Sequence, residues 1–211
     1  MPSPVRLLFV VSLLSSPLMA QNIPMLPNEA RDTPSILPGK HDQVKKEDSL
    51  VPKGPKRIWA SSYLWAKAPE LTVEKWLTDQ PDMKGKYVLI ELFNTWCTHC
   101  WTSVPNLNRW HAEYKDEMVV IGLCDEPEEI VRAAKKEINR DFYFAIDTQK
   151  RMRKALDVKG VPHAILLEPG GYVIWEGYPH LPGHELTDKT IEAALAVGRR
   201  QKAERKQQAS R

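Results

Sequence analysis

The chain has 211 residues, of which 42% are hydrophobic and 27% charged, ordinary figures for a single globular domain. They exclude a chain disordered throughout, a collagen-like repeat and a disulfide-dense mini-protein. Thirty basic residues against 27 acidic ones give a net charge of +3, too little to point to a nucleic-acid partner. Three cysteines cannot form a disulfide framework. Two of them stand three positions apart, so they are expected to do chemistry rather than hold the fold.

Residues 1–20 read as a secretory signal peptide. Arg6 is the only charge, Leu7 to Leu14 form a short apolar run, and a small-residue exit ends in Leu18-Met19-Ala20. The run falls short of the roughly 20 apolar residues that span a bilayer, which favours cleavage over retention as an N-terminal anchor. Either outcome delivers the body to an oxidising periplasmic or otherwise extracytoplasmic space. Residues 21–57 carry Pro24, Pro27, Pro34, Pro38, Pro52 and Pro55 without a sustained apolar period, as a disordered linker would. A folded body is expected over 58–198, followed by a basic tail, 199–211, with a local charge of +5. The signal accounts for one more positive charge, so residues 21–198 sum to about −3. The tail reads as a solvated helix end, with an anionic partner as the alternative.

Within the body, strand and helix patterns alternate, an α/β arrangement. Tyr87 to Phe93 is a near-continuous apolar run of strand length. A helix follows, with Val104, Leu107, Trp110 or His111, and Tyr114 on one face. Met118 to Leu123 is a second buried strand. It leads into Asp125-Glu126-Pro127-Glu128-Glu129, a capped acidic helix start, with Ile130, Ala134 and Ile138 predicted as that helix's inner face. A strand over Phe142–Ile146 and a short helix over Thr148–Leu156 come next. Ala164–Leu167 and Tyr172–Trp175 flank Glu168-Pro169-Gly170-Gly171, a hairpin pattern. Thr187–Val197, with Ile191, Ala194 and Leu195 together, closes the body as a helix. This order predicts a helix-covered mixed sheet that begins with parallel βαβ units and ends antiparallel.

Trp96-Cys97-Thr98-His99-Cys100 falls where the first strand gives way to a helix. With Cys97 at the helix N-terminus and Cys100 one turn in, the two sulfurs are within disulfide reach. Unpaired N–H groups and the helix dipole favour the Cys97 thiolate below the usual thiol pKa of about 8.5. Cys97 is then the exposed nucleophile and Cys100 the deeper, resolving thiol. The competing reading, half of a four-cysteine zinc site, lacks a second ligand pair, because Cys124 stands alone.

The chain resembles the thioredoxin superfamily, and within it the TlpA/ResA-like extracytoplasmic thiol-disulfide oxidoreductases, over about residues 66–196. The resemblance runs from Lys84-Gly85-Lys86-Tyr87-Val88-Leu89-Ile90 through Phe93-Asn94-Thr95-Trp96-Cys97, Val119-Val120-Ile121-Gly122 and Gly160-Val161-Pro162 to Gly170-Gly171-Tyr172-Val173-Ile174-Trp175. It implies a thioredoxin-like fold, a central mixed sheet flanked by helices. It also implies catalysis through a redox-active Cys97–Cys100 disulfide with no other cofactor and no metal. The expected partners are protein thiols and disulfides, apocytochromes among them, and a membrane or periplasmic redox partner, with no nucleic acid. Pro162 matches the family's cis-proline, which with Val161 and Trp96 forms the surface a substrate segment meets. Pro105 matches a proline that kinks the first helix.

Glu91 matches the buried acid that exchanges protons with the resolving cysteine; the alternative is a carboxylate turned to solvent or paired with a lysine. His99 stands where reductases of the family commonly carry proline. An imidazole there can stabilise the reduced form and make the disulfide more oxidising, so the direction of electron flow stays open.

Cys124 reads as a small core hydrophobe, with a regulatory thiol as the alternative. Trp76, Trp101, Trp110 and Trp175 read as packing residues. His163, His180 and His184 follow the proline region and carry the alternative function, a Cu(I)-binding metallochaperone. A peroxidase reading lacks its threonine three residues before the cysteine, where Asn94 stands. A binding module that has kept only the fold is a third possibility.

Overall fold

A computed structural model describes residues 58–135 and 139–210. The expected signal peptide, the linker up to residue 57 and Ile138 lie outside the described residues.

Two seven-residue strands, β2 (Tyr87–Phe93) and β3 (Met118–Cys124), are buried along their whole length and pair in parallel, Glu91 opposite Gly122. Continuous apolar sequence is what a strand covered on both faces requires. Alternate side chains serve opposite layers. Tyr87, Leu89, Phe93, Val120 and Cys124 pack beneath helix α1 (Thr98–Tyr114) with Val104, Leu107 and Trp110. Val88, Ile90, Leu92, Val119, Ile121 and Leu123 form a second core with Met152 of helix α3 (Arg151–Ala155) and with Leu156. Glu91 thus falls on the α1 side. Opposite it, Gly122 leaves room for the Phe144 ring, which a Cβ would meet at 2.6 Å.

The six-stranded sheet has the order β1-β4-β3-β2-β5-β6. Strand β4 (Tyr143–Ile146) extends the parallel half. Strands β5 (His163–Leu167) and β6 (Val173–Gly177) form the antiparallel hairpin on the other side of β2. This is the mixed sheet read from the sequence. The edge strand β1 (Lys75–Trp76), antiparallel to β4, was not foreseen, because two residues carry no period. Ahead of it, Glu176 accepts hydrogen bonds from Ser62 Oγ and from Tyr63 N, the latter at 2.8 Å, while Leu71 and Val73 are fully buried.

The inner face expected for helix α2 (Glu128–Lys135) needs correction. Ile130 is 46% exposed and Val131 is the buried residue. Ile130 N and Val131 N both donate to the Pro127 carbonyl, so the helix winds from Pro127. Its rotation is then set by Val131, whose carbonyl accepts from the buried Arg140 Nη2 at 3.0 Å. In α1, Trp110 rather than His111 faces the core.

Helix α4 (Asp188–Ala209) is capped by Thr187 Oγ1, which accepts from Thr190 N at 3.3 Å. It runs past the expected end at Val197 and through the basic segment. Arg199 pairs there with Glu117 at 2.7 Å and Glu192 at 3.2 Å. Gly198 allows the helix to lie against Tyr87, whose hydroxyl a Cβ would meet at 2.8 Å. Among the described residues, no helix is long and apolar enough to cross a membrane.

Candidate active site

Strand β2 ends at Phe93, and Asn94-Thr95-Trp96 turn the chain into α1. Cys97 is the N-cap of that helix, with extended dihedrals (φ −88°, ψ 102°). Its N–H donates to the Asn94 carbonyl at 3.1 Å. Its Sγ accepts from Cys100 N at 3.2 Å, as a capping side chain does. No acidic residue lies in the first turn, so nothing there opposes the helix field at the sulfur. Cys97 and Cys100 are joined as a disulfide with Cα atoms 5.3 Å apart. Cys100 is fully buried, as expected. Cys97 is itself only 5% exposed, which corrects the expectation of an exposed nucleophile: Thr98, His99 and the 67% exposed Trp96 are what face solvent.

The Val161–Pro162 peptide is cis. Cys97 Sγ lies 3.5 Å from the Val161 carbonyl oxygen, where a reduced thiol would have an acceptor. Pro162 is buried and leads directly into β5, which is hydrogen-bonded to β2. The dithiol and the cis-proline are thus carried on neighbouring strands of one sheet.

Glu91 lies beneath α1 and is 1% exposed, so its solvent-facing alternative is excluded. Burial pushes its carboxyl up to about 8, partly offset by a hydrogen bond from Ser103. Its Oε1 has no partner among the described residues. Ser103 sits three residues beyond Cys100, on the same face of the helix. Ser103 Oγ is 2.8 Å from His180 Nε2, and Thr102 Oγ1 is 3.2 Å from the same nitrogen. Tyr178 stands edge-on to His99 at 5.9 Å and to His180 at 5.8 Å. Ser103 and Tyr178 escaped the sequence reading, and His180 entered it only as a copper-ligand candidate: a serine inside a helix and a histidine 77 positions away carry no local pattern that links them.

Also unforeseen is the staple beneath the cysteine loop. Asp125 accepts from Asn94 Nδ2 at 2.5 Å and from Arg153 Nη1 at 2.8 Å. Glu126 accepts from Thr95 N at 2.5 Å and from Thr95 Oγ1 at 2.8 Å. Trp101 Nε1 donates to the Thr95 carbonyl at 2.7 Å. Asp125 and Glu126, one of which read as the acid capping the next helix, hold the turn before Cys97. Their proline–glutamate context gave the local cue for a cap, and nothing nearby in sequence announced the partner loop.

Cys124 is fully buried, with its Sγ 3.4 Å from Glu126 Oε2, and burial pushes its thiol up to about 12. Trp110 and Trp175 are buried, while Trp101 packs against the core partly exposed. His163 is buried in β5. Among the described residues, no three His, Cys, Asp or Glu side chains come together to hold a metal, so the copper reading finds no ligand set.

The sequence pattern of the AhpC/TSA family matches residues 66–176, just over half the chain, and takes in the cysteine pair, Glu91 and the cis-proline. The chain belongs to the AhpC/TSA family. The thiol-disulfide oxidoreductase ResA of Bacillus thuringiensis subsp. konkukian is 33% identical over 97 residues, 45% of this chain and 56% of that protein. Its namesake from Bacillus subtilis is 28% identical over 95 residues, 44% and 53% of the two chains. The match spans about half the length of these relatives. Among solved structures, the thioredoxin domain of a thiol-disulfide oxidoreductase from Bacteroides vulgatus superposes with a TM-score of 0.52. It is 25% identical and covers 63% of this chain and 95% of that one. A thioredoxin-like superfamily protein superposes at 0.53, with 22% identity, over 62% of this chain and 94% of its own. The fold is thioredoxin-like.

Proposed function

We propose that this AhpC/TSA family member is an extracytoplasmic thiol-disulfide oxidoreductase that exchanges disulfides with proteins through Cys97 and Cys100. The observation that carries this reading is the placement of Cys97 Sγ. It caps α1, takes a hydrogen bond from Cys100 N, is bonded to Cys100 and lies against the carbonyl that precedes cis-Pro162. The relatives' activity supports it, and the export-like pattern of residues 1–20 supports the compartment.

In the reducing direction, the Cys97 thiolate attacks one sulfur of a substrate disulfide. That bond breaks, a mixed disulfide forms, and the first substrate sulfur leaves as a thiolate that takes a proton from solvent. Cys100 then gives its proton to the Glu91 carboxyl as its sulfur attacks Cys97 Sγ. The second substrate sulfur leaves and the Cys97–Cys100 disulfide closes, so two electrons have passed to the substrate. Oxidation of a substrate dithiol is the reverse. The buried, unpartnered Oε1 of Glu91, under the helix face that carries Cys100, suits it to that proton. Trp96, Val161 and Pro162 form the surface on which an extended substrate segment lies. His99 tunes the poise, making the disulfide more oxidising than a glycine-proline motif would.

Insulin-disulfide reduction tests the activity; a protein with both cysteines reduced that leaves insulin intact defeats the proposal. Equilibration with glutathione tests the poise: a potential as low as the roughly −270 mV of thioredoxin defeats the role given to His99. A Cys100→Ala variant expressed with its export segment stalls mixed disulfides on Cys97 and captures substrates, apocytochromes among the expected chains.

A further inference from the structure

The geometry points to a proton path that joins Glu91 to solvent through the hydroxyl of Ser103 and the imidazole of His180. The inference rests on the exchange reaction proposed above and names two positioning residues that act through Glu91.

Ser103 is 3% exposed and stands between two proton-bearing groups, on the α1 face above Glu91, whose carboxyl pKa its hydroxyl pulls partly back down, and 2.8 Å from His180 Nε2 on the other side. A hydroxyl in that position accepts one proton while releasing another. His180 follows β6 and is only partly buried, so its ring spans from the sealed interior to water. Thr102 Oγ1, which donates to the His99 carbonyl at 2.7 Å, lies 3.2 Å from the same Nε2. The titratable groups that face this chain are Cys100 and His99 from α1 and Tyr178 from the segment after β6. Burial lowers the His180 pKa, a hydrogen bond to the His99 backbone raises it and the His99 side chain lowers it again; the net lowering keeps the ring neutral at neutral pH.

A buried carboxyl that holds its proton until about pH 8 cannot take the Cys100 proton at neutral pH unless it hands its own onward. The path does this in one sequence. The Cys100 proton goes to Glu91 Oε1 while the proton already on the carboxyl passes to Ser103 Oγ. The Ser103 hydrogen moves to His180 Nε2, and the imidazolium releases its Nδ1 proton to water. One proton enters the path, one leaves, and the carboxyl ends in the protonation state it began with. Above pH 8 the carboxylate is already empty and the path is not needed.

The test is a single turnover of the reduced full chain with Ellman's disulfide. Cys97 attack releases one thionitrobenzoate and Cys100 resolution releases the second, followed from pH 5.5 to 9. Ser103→Ala and His180→Ala should slow the second release about tenfold or more near pH 6.5, leave the first within about twofold, and converge on wild type above pH 8. Ser103→Thr, which keeps the hydroxyl, and added imidazole for His180→Ala should each restore the rate. Neither variant should slow Glu91→Gln further, because the path acts through that carboxyl.

Unchanged second release, slowing of equal size at every pH, or full additivity with Glu91→Gln would each overturn the path while leaving the exchange reaction intact. A wild-type protein that never releases the second thionitrobenzoate would overturn the exchange reading itself. Should Ser103→Ala fail to fold by circular dichroism, His180→Gln and the imidazole rescue of His180→Ala, on a partly exposed residue, carry the test alone.

Discussion

Cys97 and Cys124 are both sealed from solvent, at 5% and 0% exposure, and both sit at the same end of the central strands, yet their surroundings work in opposite directions. Cys97 caps α1 and receives the Cys100 N–H, so dipoles with their positive ends toward the sulfur favour a thiolate. Cys124 ends β3 with the Glu126 carboxylate 3.4 Å away and Asp125 nearby, so burial and negative charge keep it a thiol. Burial by itself does not decide whether a cysteine reacts. The sign of the nearest fixed charge does, and the loop that sets the negative sign at Cys124 also braces the turn that presents Cys97 to the N–H groups of α1.

The largest effect belongs to Glu91. Its folded pKa of about 8 lies above that of the unfolded carboxyl, so between pH 4.5 and 8 the folded state holds a proton that the unfolded state has lost. Stability of the disulfide form should therefore fall as pH rises across that window. Glu91→Gln, which cannot ionise, should be more stable than wild type by about 4 kcal/mol at pH 8 and level with it near pH 4. Parallel stability curves for the two proteins would show that the carboxyl is not held neutral.

The loop of Asp125 and Glu126 offers a smaller perturbation. Asp125→Ala leaves Arg153 and Asn94 without their partly buried acceptor, and should cost about 3 kcal/mol in urea unfolding. Loss of the brace should also slow exchange while Cys124 stays unreactive. An unchanged midpoint would mean that the acids do not hold the cysteine turn.

The smallest change is expected at the second cysteine. Cys124→Ala removes a buried sulfur for about 1 kcal/mol and should leave insulin reduction within about twofold. A large loss of activity would give Cys124 a part in the reaction and dissolve the contrast.

The cysteine pair and its helix were legible in the sequence because they are written locally, whereas the cis geometry of Pro162 was legible only through the family resemblance. A buried strand runs into Trp96-Cys97-Thr98-His99-Cys100, and Gly160-Val161-Pro162 sits at the foot of the next apolar run. The mixed sheet followed from strand-length runs at Tyr87, Met118, Phe142, Ala164 and Tyr172. What escaped depends on partners far along the chain: β1 against β4, Ser62 and Tyr63 against Glu176, Asp125 against Asn94 and Arg153, and Ser103 against His180. The phase of α2 escaped for a related reason. Ile130 and Val131 are equally apolar neighbours, and only their place in the packed fold puts Val131 inward.

The most direct measurement of the central claim is the pH dependence of iodoacetamide alkylation at Cys97 in the reduced protein, read by mass spectrometry with Cys124 as the internal control. The account predicts a Cys97 transition well below the ordinary thiol value of about 8.5, with Cys124 unmodified until the protein unfolds. A Cys97 transition at or above that value would contradict it.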